Sequence, residues 1–220
     1  MYKVIPILTP PQVNEVKAIA ARAQFVDGRI TNPHNKAKQN EQLHDAQAYQ
    51  KSSQLLQQAY ARNQEFHEFA FAVRIAPPMM TRYKPGMKYG AHADSAFIHL
   101  PQGAIRSDLS STVFLNDPSD YDGGELKVRL GDSELTFKLK PGEAIVYPSD
   151  SLHQVVPVTR GERLVAITFI QSRIQDPFRR NMLFELNEVA ALEGLKMDQE
   201  NFGRLQLVRE NLMRYWADMP

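Results

Sequence analysis

The chain has 220 residues, 43% apolar and 23% charged, an ordinary globular composition that excludes a disordered, collagenous or coiled-coil chain. Lysine plus arginine (26) nearly cancel the acids (25), so no nucleic-acid partner and no anionic membrane partner is expected, and no stretch approaches the ~18 consecutive apolar residues of a membrane span. There is no cysteine, which excludes disulfides, thiolate metal sites and cysteine nucleophiles; with an N-terminus (MYKVIPILTPPQ) unlike a secretory leader, a cytoplasmic protein is the expectation.

In chain order, residues 3–8 (KVIPIL) read as a short strand. Thr9-Pro10-Pro11 is a helix start, followed by Val13, Val16, Ile19 and Ala20 at helical spacing. A short strand at Phe25-Val26 ends at Gly28, and the polar stretch 31–43 (TNPHNKAKQNEQL) reads as a loop. Residues 42–63 predict a long amphipathic helix. From about residue 66 the texture changes. FHEFAFAVRI reads as a strand, and about eight short Val-, Ile-, Thr- and aromatic-rich runs follow at roughly ten-residue spacing, separated by Pro and Gly turns. That pattern predicts a sandwich or barrel, and a double-sheet jelly roll fits the count. From Asp176 two more helices are expected, with Gly194 and Gly203 as stops or weak points. Arg179, Arg180, Arg204, Arg209 and Arg214 there read as a solvated mixed face. The predicted class is α+β, mainly β: a helical arm (1–65), a β core (about 66–176) and a C-terminal helical extension (177–220).

Of six histidines, only His92 is followed two places later by a carboxylate, Asp94. Residues two apart on a strand share a face, so both side chains can aim into one barrel mouth. A single such triplet is close to a chance occurrence. His153 strengthens it, at the start of a later strand after EAIVY and a turn. Two imidazoles and one carboxylate form the facial triad of non-haem Fe(II) sites, with positions left open for substrate and oxygen. Arg163, ten residues on, opens the next strand. Its planar fork suits a carboxylate ligand, while the bland alternative is a surface Arg paired with Glu162.

This arrangement resembles the Fe(II)/2-oxoglutarate-dependent dioxygenases, with His-x-Asp, a distal His and an Arg ten residues beyond it. Residues 83–94 (YKPGMKYGAHAD) look like the corresponding strand of the prolyl and lysyl hydroxylase branch. KQNEQL, RSDLSSTVFLNDPSDYDGGEL and PSDSLHQVVPVTRGERLVAITFIQSR are similar, over essentially the whole chain, to bacterial PKHD-type hydroxylases. The resemblance implies a double-stranded β-helix in a dioxygenase domain (1–176). It implies Fe(2+) on His92, Asp94 and His153, and the distal carboxylate of 2-oxoglutarate on Arg163. It further implies O2 as co-substrate, succinate and CO2 as products, L-ascorbate as a supporting reductant, and a small-molecule or peptide substrate hydroxylated at a C–H. Tyr83 would hydrogen-bond the same carboxylate or only pack in the strand. Tyr89 would line the site or only pack. The retained Asp94 argues for hydroxylation or another oxidation rather than halogenation.

Other features carry two readings each. His99 is a substrate contact or a loop His, and Asp122–Glu125 (DGGE) is a turn or a carboxylate pair. Gly86 and Gly90 are flap hinges or turn residues. Arg106 binds an anionic substrate or is solvated. Trp216 and Tyr215 anchor the tail on the β core or make a dimer contact, and the apolar terminal helices are candidates for a homodimer. Two further functions compete with the oxygenase: a cupin-like metalloprotein (isomerase or hydrolase) needing neither Arg163 nor Tyr83, and a jelly-roll sensor with no oxygenase activity.

Overall fold

Thr9 separates the first strand, β1 (Lys3–Pro6), from helix α1 (Pro10–Arg22); proline fits the first helical turn, and the Gln12 carboxamide oxygen accepts the Thr9 N–H at 2.9 Å. The computed structural model describes residues 1–31 and 36–218; His34 and part of the expected polar loop lie outside them. After α1 come β2 (Phe25–Asp27), β3 (Lys38–Gln39), β4 (Glu41–Leu43), α2 (Ala46–Arg62), α3 (Gln64–Ala70) and β5 (Ala72–Ile75). The body continues with β6 (Met79–Tyr83), β7 (Lys88–His92), β8 (Phe97–Ile98), β9 (Ile105–Arg106), β10 (Leu109–Phe114) and β11 (Asp122–Gly123). It ends with β12 (Leu126–Leu130), β13 (Ser133–Phe137), β14 (Glu143–Pro148), β15 (His153–Val155), β16 (Val158–Arg160) and β17 (Arg163–Ser172), before helices α4 (Pro177–Glu193) and α5 (Gln199–Trp216).

Two segments depart from the sequence expectation. Residues 64–70 are helical rather than extended. The Asn63 side chain caps α3 by accepting the Phe66 N–H at 2.8 Å, and Phe66, Phe69 and Ala70 bury one helical face. Phe71 then takes a left-handed conformation (φ 47°) that ends the helix, and the strand begins only at Ala72. The stretch read as a loop up to Leu43 instead holds β3 and β4, with Lys38, Asn40 and Gln42 all buried. Its inward residues are polar, so the hydrophobic alternation that marks a strand is missing.

The chain is mainly antiparallel β, with helices at both ends. The larger sheet runs β1-β14-β10-β17-β6-β4-β2, with β5 also on β17, and the smaller runs β13-β12-β15-β7-β3. Alternation splits the larger sheet's side chains between two cores. Val113, Ala144, Val146 and Ala166 cluster with Val16, Leu56, Tyr60 and Phe66 of the helices. Phe114, Ile145, Tyr147 and Val165 cluster with Leu126, Val128 and Val155 of the smaller sheet. The tail hairpin buries Leu183 and Phe184, and Phe184 meets Phe69 edge-on at 5.4 Å. The Asp218 N–H returns to the Arg173 carbonyl at 2.8 Å. Gly194 caps α4, whereas Gly203 sits inside α5 and does not end it. Among the described residues no helix is long and apolar enough to cross a membrane.

Candidate active site

Strands β7 and β15 are neighbours, and their register sets His92 opposite His153. Asp94 follows two residues after β7 ends. One ligand atom from each of the three lies within 4.8 Å of the others, close enough to share a single ion. The His153 Nε2 is 3.6 Å from Asp94 Oδ2, and the His92 Nε2 is 4.0 Å from Asp94 Oδ1. Each imidazole Nδ1 meets a backbone carbonyl, Gly90 for His92 (2.8 Å) and Ser151 for His153 (3.0 Å). A carbonyl only accepts, so both Nδ1 atoms carry the proton and both Nε2 atoms keep a lone pair toward Asp94. Burial, then the neighbouring His153, push His92 down to about 4, which holds it in the neutral, ligating form. Tyr89 stacks on the His92 ring at 3.6 Å with a 16° interplanar angle.

A directed hydrogen-bond chain holds the carboxylate. Ser110 donates to Asp94 Oδ2 at 2.5 Å, so its oxygen is left to accept from Ser149 at 2.8 Å. Ser149 in turn accepts from Ser107 at 2.8 Å. Ser110 does not stand out in the sequence, because it sits in a fully buried strand beside two other small hydroxyl residues, Ser111 and Thr112.

Arg163 opens β17 opposite Tyr83 of β6 and is 1% exposed. The expected alternative, a surface Arg paired with Glu162, is not what the fold produces. Its guanidinium carbon lies 5.0 Å from the Tyr83 ring and 5.3 Å from the Phe114 ring. Among the described residues no carboxylate reaches ion-pair distance, and its Nε has no hydrogen-bond partner. Burial lowers its pKa, and it remains a cation. A buried guanidinium without a counter-charge is costly, and an anionic ligand removes the cost. Gly124 packs behind it at φ 69°; a Cβ there would come within 3.0 Å of the Arg163 Cδ. Of the Asp122–Glu125 stretch, Asp122 and Gly123 are strand β11, paired with β16, rather than the expected turn, and Gly124 makes room for the arginine.

His92, Asp94, His153, Tyr83, Tyr89 and Arg163 line one narrow inner cavity of about 60 Å³. Lys38, Asn40 and Gln42 join them from the strands read as a loop. The Asn40 Nδ2 donates to the Tyr83 hydroxyl at 2.9 Å, and Lys38 donates to Thr31 Oγ1 at 2.8 Å with its ammonium 5.7 Å from the Tyr89 ring centre. The signal that finds them is a polar alternation, Lys-x-Asn-x-Gln, running into Leu43.

Asp94 also faces a second, outer cavity of about 600 Å³, walled by the residues after β7, the start of α4 and the end of α5. Arg180 lines it and is 4% exposed, which corrects the reading of a solvated arginine: the first turn of α4 turns it inward, where its Nη1 donates to the Ile174 carbonyl at 2.9 Å. Arg106 is paired with Asp108 and Asp218. Trp216 lines the same cavity under the Arg179 guanidinium, 5.7 Å away, while Tyr215 is exposed. His99 is exposed and lines neither cavity.

A family model described as the 2OG-Fe(II) oxygenase superfamily matches residues 78–171. A PKHD-type hydroxylase of Sphingopyxis alaskensis is 57% identical over 216 residues, 98% of this chain and 99% of that one. Another, from Nitrobacter winogradskyi, is 39% identical over 96% of each. The fold is also that of a Pseudomonas putida prolyl-4-hydroxylase (TM-score 0.55, 19% identity, 78% of this chain and 92% of that one). It is likewise that of a Trichoplax adhaerens prolyl hydroxylase solved with a hypoxia-inducible factor peptide (TM-score 0.56, 14% identity, 78% and 83%). Fold and site together define an oxygenase that uses Fe(2+) and 2-oxoglutarate. Identity over nearly the full length places the chain within that class: it belongs to the PKHD-type hydroxylases.

Proposed function

We propose that His92, Asp94 and His153 hold the Fe(2+), and that Arg163 with Tyr83 holds the distal carboxylate of 2-oxoglutarate. The observation that carries this is the unpaired Arg163 guanidinium buried in the same cavity as the three ligand atoms. When bound, the iron couples oxidative decarboxylation of 2-oxoglutarate by O2 to hydroxylation of a substrate C–H, releasing succinate and CO2. The chain's own residues prepare this chemistry. The Gly90 and Ser151 carbonyls fix both imidazole tautomers, and Ser110 orients Asp94. Asn40 donates to the Tyr83 oxygen and leaves the tyrosine hydrogen to donate to a carboxylate. Tyr89 covers one face of His92 and limits water there.

The architecture is taken as a jelly roll, a double-stranded β-helix formed by the two facing sheets, in a dioxygenase domain of residues 1–176 with the helical extension 177–220; the inter-sheet core supports this. The substrate is an amino acid, peptide or small metabolite. L-ascorbate is the expected reductant and the cytoplasm the expected location, which the lack of cysteine fits. Exposed Leu192, Leu207 and Tyr215 on the tail support a homodimer contact there.

The test is anaerobic addition of Fe(2+) and then 2-oxoglutarate, watching for the visible charge-transfer band. Wild type is expected to show it, and His153→Ala to lack it. Iron binding without a band in wild type would overturn the assignment.

A further inference from the structure

The outer cavity is large enough for a metabolite, inside the ~300–1,000 Å³ range of ligand sites, and the inner one is an order of magnitude smaller. Its charges are mixed and incompletely paired. Arg106 is taken by Asp108 (Nε to Oδ1, 2.7 Å) and by Asp218 (3.1 Å). That leaves Arg179 and Arg180 against Asp150 and Asp176. Arg180 is the buried member of the four. One of its nitrogens donates to the carbonyls of Ile174 (2.9 Å) and Gln175 (3.4 Å). Among the described residues its remaining N–H groups make no hydrogen bond, and no carboxylate lies within ion-pair distance. Arg180 thus resembles Arg163 in being a buried arginine with no carboxylate at ion-pair distance among the described residues; it differs in that Nη1 already meets two carbonyls and no Arg180 nitrogen is sealed off unpartnered as the Arg163 Nε is. Asp150 is exposed at the rim, and Asp176 uses one oxygen to cap α4 through the Arg179 N–H.

A purely anionic ligand here would meet the carboxylates of Asp150, Asp176 and Asp218, and a purely cationic one would meet Arg180; like charges brought face to face oppose binding in such a site. A neutral peptide loop could offer carbonyls to Arg180, as Ile174 and Gln175 do, but it brings no cation to Asp150 and Asp176 and no anion to the guanidinium. Only a ligand with both signs complements the wall.

We propose that the outer cavity is the substrate site and that the substrate is a small zwitterion of the α-amino-acid type. Its carboxylate sits on the Arg180 guanidinium and its ammonium on Asp150 and Asp176. Its side chain lies along Trp216, with the reacting C–H toward Asp94. This rests on the reading of Asp94 as an iron ligand, and it narrows the substrate to a free amino acid or a close derivative.

The test uses the enzyme loaded with Fe(2+) and 2-oxoglutarate. Free L-amino acids are added singly, alongside the N-acetyl and carboxamide derivative of each. The readouts are the shift of the charge-transfer band without oxygen and succinate release in air. At least one free amino acid is expected to shift the band and raise succinate release about tenfold or more, with its two blocked forms at least ~10-fold weaker. Arg180→Gln is expected to raise the concentration needed about 100-fold. Because that variant also disturbs the Ile174 carbonyl, the surface change Asp150→Asn is run beside it, with an expected rise of about 10-fold, each variant being saturated with iron and 2-oxoglutarate. A carboxamide that works as well as the acid overturns the proposal. So does a panel with no active member, or a pair of variants that respond like wild type. A missing band in wild type strikes the iron assignment instead. Calorimetric binding of the same panel to the metal-free protein then decides the cavity's role: free acids binding while blocked forms fail supports it, and no discrimination overturns it.

Discussion

The two cavities that meet at Asp94 are built on opposite plans. The inner one lies between the sheets, is narrow, and is lined by side chains set by strand register: Arg163 opposite Tyr83, His92 opposite His153. The outer one is ten times larger and is assembled mostly from loop residues and the tail helices, with Arg106 from the short strand β9. Each contains one buried arginine without a carboxylate partner among the described residues, but their settings differ. Around Arg163 stand aromatic rings and hydroxyls; around Arg180 stand carboxylates beyond contact distance. The lesson is a division of labour. On the proposed reading, iron and 2-oxoglutarate fall to residues set largely by strand register, and the substrate to segments that packing constrains less.

The sharpest way to break this comparison is Arg163→Met. If the inner cavity is a dry slot made for one anion, the variant's requirement for 2-oxoglutarate rises on the order of 100-fold or more, about 3 kcal/mol. The metal-free variant is at the same time expected to melt at a higher temperature than metal-free wild type, because an uncompensated buried charge has gone. Titration of the charge-transfer band and a melting curve check the two halves. An unchanged 2-oxoglutarate requirement, or a lower melting temperature, means that Arg163 is a structural residue.

A smaller effect is expected at Ser110, which belongs to the inner cavity but connects through Ser149 and Ser107 to the wall of the outer one. Ser110→Ala removes the donor to Asp94 Oδ2 and leaves the three ligands in place. Iron affinity should fall about 10- to 100-fold, the usual loss when a carboxylate ligand's orienting partner is removed. Competition with a colourimetric iron chelator measures it, and an affinity within twofold of wild type would show that packing alone orients Asp94.

The same division explains what could be read from the chain. His153 and Arg163 were legible because they adjoin strands of strong apolar pattern, EAIVY before His153 and LVAITFI after Arg163; His92 and Asp94 were legible only as a His-x-Asp triplet that gained weight from those two. The helices were legible from apolar periodicity, and the strand reading of FHEFA failed because aromatic residues favour strands while the Asn63 cap favours a helix. Lys38, Asn40 and Gln42 were missed because a strand whose inner face lines a polar cavity loses the hydrophobic alternation that identifies it. Arg180 was missed for a different reason. Its burial depends on where the first turn of α4 lands beside the β core, a contact between residues far apart in sequence.

Lys38 tests how dry the inner cavity is. Burial lowers its pKa from the ordinary 10.5 to about 8, opposed in part by Asp27 and Asp94. A lowered lysine pKa means that the folded protein binds this proton less tightly than the unfolded chain does. Below pH 8 both states carry the charge, and the fold bears a penalty on the order of a few kcal/mol. Between pH 8 and 10.5 the folded state sheds the proton first, and the penalty fades as pH rises. Lys38→Met should therefore be more stable than wild type at pH 7, by an amount reduced about 1 kcal/mol through loss of the hydrogen bond to Thr31. The advantage should shrink steadily from pH 8 upward. Urea unfolding of both proteins at pH 7 and pH 9.5 measures the gap. A gap that stays constant would mean that the Lys38 ammonium keeps its hydration, and the contrast between a dry inner slot and a wet outer cavity would fail at this wall.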